Sequence, residues 1–143
     1  MHPPRAALVV RTASHADIPA VLDIWGRARS AAAVTPDDDA AIEWLLERDP
    51  EALLIAEIGE TPVGVLIAAW DGWRGNMYRL AVPAEHRGRG VARRLVDEGH
   101  RRLAARGARR VTALVAPDED DAVGLWSAMG YARDGIARYV RNL

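Results

Sequence analysis

The sequence predicts an α+β fold: a mixed, largely antiparallel central sheet flanked by about four helices. Three observations point there. Apolar runs of strand length cluster in the middle of the chain, at residues 53–58, 63–70 and 77–82. Segments with apolar residues at helical spacing lie before and after that cluster. The strict strand–helix alternation of a wholly parallel sheet is missing, so the central strands read as antiparallel neighbours.

The elements follow in order. Residues 8–11, Leu-Val-Val-Arg, read as a first strand. Ser14 with Asp17 three residues later resembles a capping box, and Ile18, Val21, Leu22 and Trp25 form one helical stripe behind it. After a turn around Thr35-Pro36, the acids Asp37, Asp38 and Asp39 suit the positive end of a second helix carrying Ile42, Leu45 and Leu46 and ending near Pro50. Runs 53–58 and 63–70 make a hairpin across Gly59-Glu60. The loop holding Gly72 and Gly75 leads into a strand over 77–82, which Pro83 should end. Val91, Leu95, Gly99 and Leu103 recur every fourth residue, with Val96 beside them, giving a long helix that Gly107 stops. Residues 111–115 are a strand, Ala122, Leu125, Trp126 and Met129 another helical stripe, and residues 131–140 a last strand.

A length of 143 residues suits one domain over 1–143. No apolar run approaches the roughly 18–20 residues of a membrane span, and Met1-His2-Pro3-Pro4-Arg5 has no secretory pattern. A cytoplasmic protein is expected.

All 19 basic residues are Arg, and the chain has neither Lys nor Cys. That removes the lysine of a phosphate-binding P-loop, Schiff-base chemistry, thiol catalysis and cysteine-ligated zinc. His2, His15, His86 and His100 make no His-x-x-x-His pair, and no serine stands in a Gly-x-Ser-x-Gly elbow, so no metal is expected. A coding bias accounts for the Arg-only, Ala-rich, Phe-free composition more readily than a function does. Charge is distributed unevenly along the chain. Residues 1–73 carry 5 Arg against 12 acids, residues 74–110 carry 11 against 3, and residues 111–143 carry 3 against 5. With a net charge of −1 and an acidic first half, the middle block suits a small, highly charged anion better than nucleic acid.

Between the strand at 77–82 and the long helix stands Arg87-Gly88-Arg89-Gly90-Val91-Ala92, an Arg-x-x-Gly-x-Ala pattern. About 0.4 such matches arise by chance in this composition, so its position carries the inference. It sits at a helix N-terminus, where unpaired N–H groups bind anions and glycine lets a pyrophosphate approach the backbone. A dinucleotide fold would need a third glycine where Arg93 stands and more strands than remain. A plain glycine turn before a surface helix is the bland alternative.

The run from Leu80 to Val96 resembles the acetyl-CoA motif of the GNAT superfamily of N-acetyltransferases, and Leu125-Trp126-Ser127-Ala128-Met129-Gly130-Tyr131 resembles that family's closing Leu-Tyr-x-x-x-Gly-Phe/Tyr segment. Trp70-Asp71-Gly72-Trp73-Arg74-Gly75 is similar to a segment of small bacterial YpeA-type members. The likeness runs over about 8–143. It implies a sheet splayed at the acetyl-CoA site, with acetyl-CoA as co-substrate. The backbone of Leu80, Ala81 and Val82 would pair with the pantetheine arm. The amides of Arg87, Gly88, Arg89, Gly90, Val91 and Ala92 would hold the pyrophosphate, with Arg89, Arg93 or Arg94 reaching phosphate oxygens.

Attack of a neutral amine on a thioester also needs a base or a water chain, because an amine with a pKa near 10 must lose a proton. Many relatives place a carboxylate where Asn76 stands here. Asp71 is the first candidate base, with Glu57 and Glu85 as alternatives. Trp126 stands where relatives carry a tyrosine acid, and indole N–H does not give up its proton. Tyr131 is the candidate acid, its other role being a core residue. The acceptor is expected to be a small-molecule or peptide amine, with a cationic one suggested by Asp37, Asp38, Asp39, Glu43 and Glu47. A non-catalytic acyl-CoA-binding regulator is the rival, and the oligomeric state, a homodimer among the options, is left open.

Overall fold

The computed structural model describes residues 5–28, 37–116 and 118–143. Strands β1 (Leu8–Thr12), β2 (Leu53–Ile58), β3 (Thr61–Trp70), β4 (Gly75–Ala81) and β5 (Val111–Ala113) form one sheet in sequence order. The first four are antiparallel neighbours and β5 joins β4 in parallel. Helices α1 (Ile18–Arg27) and α2 (Asp39–Arg48) cover one face, while α3 (Val91–Ala105) and α4 (Asp120–Ala128) cover the other. The mixed, mostly antiparallel sheet with four helices is as the sequence predicted. No helix among the described residues is long and apolar enough to cross a membrane.

The local chemistry explains these boundaries. The Ser14 N–H donates to the Asp17 carboxylate at 2.7 Å, closing the turn from which α1 starts. The α1 stripe buries Ile18, Val21, Ile24 and Trp25, with Leu22 at its margin. At α2 the Asp38 carboxylate accepts the Ala41 N–H at 2.7 Å, so one of the acids expected at the positive end of the helix caps it. The turn expected at Thr35-Pro36 lies outside the described residues.

Two apolar clusters sandwich the sheet. Ile24, Ile55 and Val65 belong to the α1–α2 side, whereas Leu54, Leu66, Met77, Leu95 and Leu103 belong to the α3 side. Alternation along β2 and β3 thus sends neighbouring residues into different layers. Two glycines let α3 lie close. A Cβ on Gly64 would sit 2.8 Å from Val91 Cγ1, and one on Gly99 2.7 Å from Met77 Cε and 3.3 Å from Ala68 Cβ.

Two expectations are corrected. Residues 131–140 form no strand, and from Ala132 onward every residue is exposed. Among the described residues the segment pairs with no strand, and an unpaired segment does not hold as a strand. The strand expected over 111–115 pairs only at 111–113, because β4 turns away from it.

Candidate active site

The divergence of β4 from β5 makes the site. Pairing runs from Gly75 with Val111 to Met77 with Ala113 and stops. On its other side β4 carries a bulge against β3: the register passes from Ile67–Tyr78 to Val65–Ala81, so an extra β4 residue is accommodated. Arg79 takes φ +57 there, the left-handed region that costs a non-glycine residue about 1–2 kcal/mol. Trp25 fastens it. Its indole N–H donates to the Arg79 carbonyl at 3.0 Å, and the Arg79 guanidinium lies 4.8 Å over the Trp25 ring and pairs with Asp37. Beyond the bulge, the β5-facing side of Leu80, Ala81 and Val82 has no strand partner among the described residues.

The chain next makes a short turn over Ala84–His86 and enters the glycine loop. Gly88 and Gly90 have φ +78 and +77, and a Cβ on either would project into open space. The first α3 backbone bond runs from the Arg94 N–H to the Gly90 carbonyl at 3.1 Å. The N–H groups of Val91, Ala92 and Arg93 therefore have no acceptor within the helix. Val82, His86, Arg87, Gly88, Gly90, Val91, Ala92, Arg93 and Leu125 line a concavity of about 200 Å³ here.

Charge at this helix end is unusual. The first turns of α2 and α4 carry Asp39 and the pair Asp120 and Asp121, as the helix dipole favours. The first turn of α3 has no acid and holds Arg93 and Arg94, both exposed. Cations at the positive end cost roughly 0.3–1 kcal/mol each at low salt. The arrangement is stabilising once a polyanion sits among the amides.

Each candidate proton carrier has a partner within the fold. The Asp71 carboxylate is fully exposed and accepts the Arg74 and Trp73 N–H groups, both at 2.7 Å, which hold its pKa below the usual range. It is a turn cap and a weakened base. Glu57 pairs with Arg11 on the β1–β2 side of the sheet. Glu85 is held below the ordinary carboxylate range by its own backbone N–H and by Arg27, with which it pairs. Asn76 lies in the paired part of β4, beside Thr112.

Tyr131 stacks on Trp126, ring centroids 4.8 Å apart, and its hydroxyl lies 2.6 Å from His100 Nε2 on α3. Half-buried, it is pushed up to about 12, so it keeps its proton. The pair Trp126–Tyr131 packs against the α3-side core.

A family model described as "Acetyltransferase (GNAT) family" matches residues 18–131. The chain belongs to the GNAT acetyltransferase family. Among its relatives, an acetyltransferase of Sodalis glossinidius is 31% identical over 85% of both chains. One of Pectobacterium atrosepticum is 33% identical over 80% of this chain and 81% of its own. The solved aminoglycoside N-acetyltransferase AAC(6')-Iy in complex with CoA shares the fold, with a TM-score of 0.81 at 19% identity over 99% of each chain. Ard1 from Thermoplasma volcanium gives 0.77 at 21% identity, over 88% of this chain and 83% of that one.

As a GNAT enzyme, the protein is an acetyl-CoA-dependent N-acetyltransferase. Among its described residues no cluster of His, Asp and Glu is arranged to hold a metal. The structure brings Val82 together with Arg87, Gly88, Gly90, Val91 and Ala92 around one concavity, which Leu80, Ala81 and Arg89 do not line, and Asp71 stands on the loop between β3 and β4. Sequence reasoning missed the Trp25–Arg79–Asp37 fastening, since nothing local marks Arg79 as the bulge. It also missed His100, whose signal was only its place one residue after Gly99 on the apolar side of α3.

Proposed function

We propose that the protein moves an acetyl group from acetyl-CoA to a primary amine of a small molecule or peptide, by direct attack in a ternary complex. The observation that carries this reading is the cationic glycine cradle at α3 continuing into the open edge of β4. A pyrophosphate fits that cradle because amides, positive-φ glycines and guanidinium groups converge with no opposing carboxylate among the residues lining it. Backbone N–H groups of Gly88, Arg89, Gly90, Val91 and Ala92 bind it, with Arg87 and Arg93 at its rim. Leu80, Ala81 and Val82 offer main-chain groups to the amide-bearing arm as a neighbouring strand would. When bound, acetyl-CoA supplies the thioester.

The amine proton is assigned to water. Asn76 has no basic atom, and Asp71, Glu57 and Glu85 are committed to backbone or arginine partners. The thiolate leaves without a tyrosine acid, its pKa near 8.5 making it a fair leaving group. A cationic acceptor is favoured by Asp39, Glu43 and Glu47, exposed on α2. Asp37 and Asp38 are engaged with Arg79 and the α2 cap. The AAC(6')-Iy complex with a CoA–acetylneamine bisubstrate analogue is in line with a small-molecule amine.

The test is release of free coenzyme A across a panel of amines. Polyamines and amino-terminal peptides should outcompete neutral or anionic amines. Tight acetyl-CoA binding with no turnover on any amine would instead favour the acyl-CoA-binding regulator, for which Asn76 and Trp126 are the supporting residues.

A further inference from the structure

Residues 80–82, whose main chain is offered to the pantetheine arm, form a short span that is gripped at both ends by another layer. Their own side chains are occupied within the fold: Ala81 lies on the α1–α2 side, and Leu80 and Val82 pack on the α3 side. Before the span stands Arg79 in its left-handed bulge, and after it Glu85 in the turn that leads to the glycine loop. Both are held by the same two elements. Trp25 and Arg27 lie in the last turn of α1, and Asp37 directly precedes Asp38, the cap of α2.

The two grips differ in strength. The side chains of Arg27 and Glu85 are 44% and 55% exposed, and a surface pair of that kind contributes little. Those of Arg79 and Asp37 are 24% and 15% exposed, and the same guanidinium lies over the Trp25 ring, so the charge pair is sheltered and backed by a cation–π contact. This ion pair does something that the indole alone does not. The Trp25 N–H fixes the Arg79 carbonyl, which belongs to the peptide leading into Leu80, whereas Asp37 fixes the side chain. Arg79 is thus held on two sides of its Cα, in a conformation that an arginine does not adopt by preference. The direction of that one peptide sets which way the N–H and C=O groups of the span point.

We propose, on the reading of that edge as the pantetheine strand, that Arg79 and Asp37 are positioning residues for acetyl-CoA. Their ion pair locks the bulge so that residues 80–82 meet the pantetheine arm in register, and it ties that register to the head of α2. Neither residue lines the concavity at the glycine loop. Breaking the pair therefore removes the arm's share of the binding and spares the share of the pyrophosphate.

Calorimetry with two ligands separates these shares: coenzyme A, and 3'-phospho-ADP, which carries the nucleotide and the pyrophosphate but no pantetheine. The wild type should bind coenzyme A more tightly than 3'-phospho-ADP. Asp37→Asn keeps the shape and removes the charge, while Arg79→Asn removes the guanidinium with a residue that tolerates the left-handed region. Each should weaken coenzyme A about tenfold, the lower end of what a hydrogen bond to a charged group is worth, and leave 3'-phospho-ADP unchanged. Asp37→Glu, which keeps the charge, should recover most of that loss. No loss for coenzyme A, an equal loss for both ligands, or an Asp37→Glu protein as weak as Asp37→Asn overturns the proposal. Equal affinity of the wild type for the two ligands would strike the pantetheine reading of the edge itself, and the proposal with it.

Discussion

At Gly90 the backbone sits at φ +77 with open space where a Cβ would go. Gly90→Ala should therefore combine two separable effects. Strain in the left-handed region should lower stability by about 1–2 kcal/mol. A methyl group facing the cradle should weaken acetyl-CoA binding at least tenfold by calorimetry. Gly107→Ala supplies the control, since Gly107 has φ +107 and open space but lies at the far end of α3. It should lose stability without losing affinity, and equal affinity losses at both positions would remove the phosphate-site assignment. Tyr131 provides the second residue-scale prediction. Its hydroxyl is engaged with His100 and reluctant to ionise, so Tyr131→Phe should change kcat less than tenfold. Trp126→Tyr should keep or modestly raise the rate. A loss of several orders of magnitude in Tyr131→Phe with binding intact would make Tyr131 the acid.

Among elements, β4 governs the geometry, and its bulge depends on a residue from another layer. Trp25→Phe keeps the ring under the Arg79 guanidinium and removes only the indole N–H. The lost hydrogen bond should cost about 0.5–1.5 kcal/mol in urea melts. If the bulge sets the cleft, kcat/KM for acetyl-CoA should also fall several-fold. An unchanged kcat/KM at reduced stability would confine Trp25 to packing. This element also shows what the sequence reveals. Helices α1 and α3 and the first four strands were legible because their apolar spacing is local and their ends carry caps, glycines or prolines. The glycine loop at the head of α3 was legible because its chemistry lies in six consecutive residues. The left-handed Arg79 was hidden because an arginine is an unfavourable choice there, held by Trp25, 54 residues away, and by Asp37. Residues 131–140 were misread because a strand is completed by its neighbour, and among the described residues no strand pairs with them. Asp71 looked like a base from its place after β3. Only the structure shows its oxygen taken by two backbone N–H groups.

For the whole molecule, two ionic ties shape the response to acid. Asp17 is brought to about 2 chiefly by its hydrogen bond from Arg11, and Glu98 to about 2 chiefly by Arg101 and then Arg102. Both are depressed, so the stability they lend is complete above their ordinary values near 4 and is lost as pH falls toward 2. Asp17→Asn should flatten the stability profile over that window by about 1 kcal/mol in urea melts. Tyr131 acts on the opposite limb. Its raised pKa means that the unfolded chain ionises first as pH climbs past 10, so stability should decline between 10 and about 12. Tyr131→Phe should abolish that decline. The +8 block over residues 74–110 should also make acetyl-CoA affinity fall with added salt.

The two glycine notches that seat α3 make the helix a lever. Gly99 rests on Met77 and Ala68, and at 1.5 Å per residue it stands about 13 Å from Gly90 along the axis. A methyl group wedged at Gly99 lifts that point by a few tenths of an ångström, with Leu95 and Val91 against the sheet as fulcrum, so the N-terminal amides tilt the opposite way. Gly99→Ala should thus loosen acetyl-CoA binding from a place that the ligand never reaches. The tolerance of the anion site is in that sense machined into the thickness of the gap between one helix and one sheet.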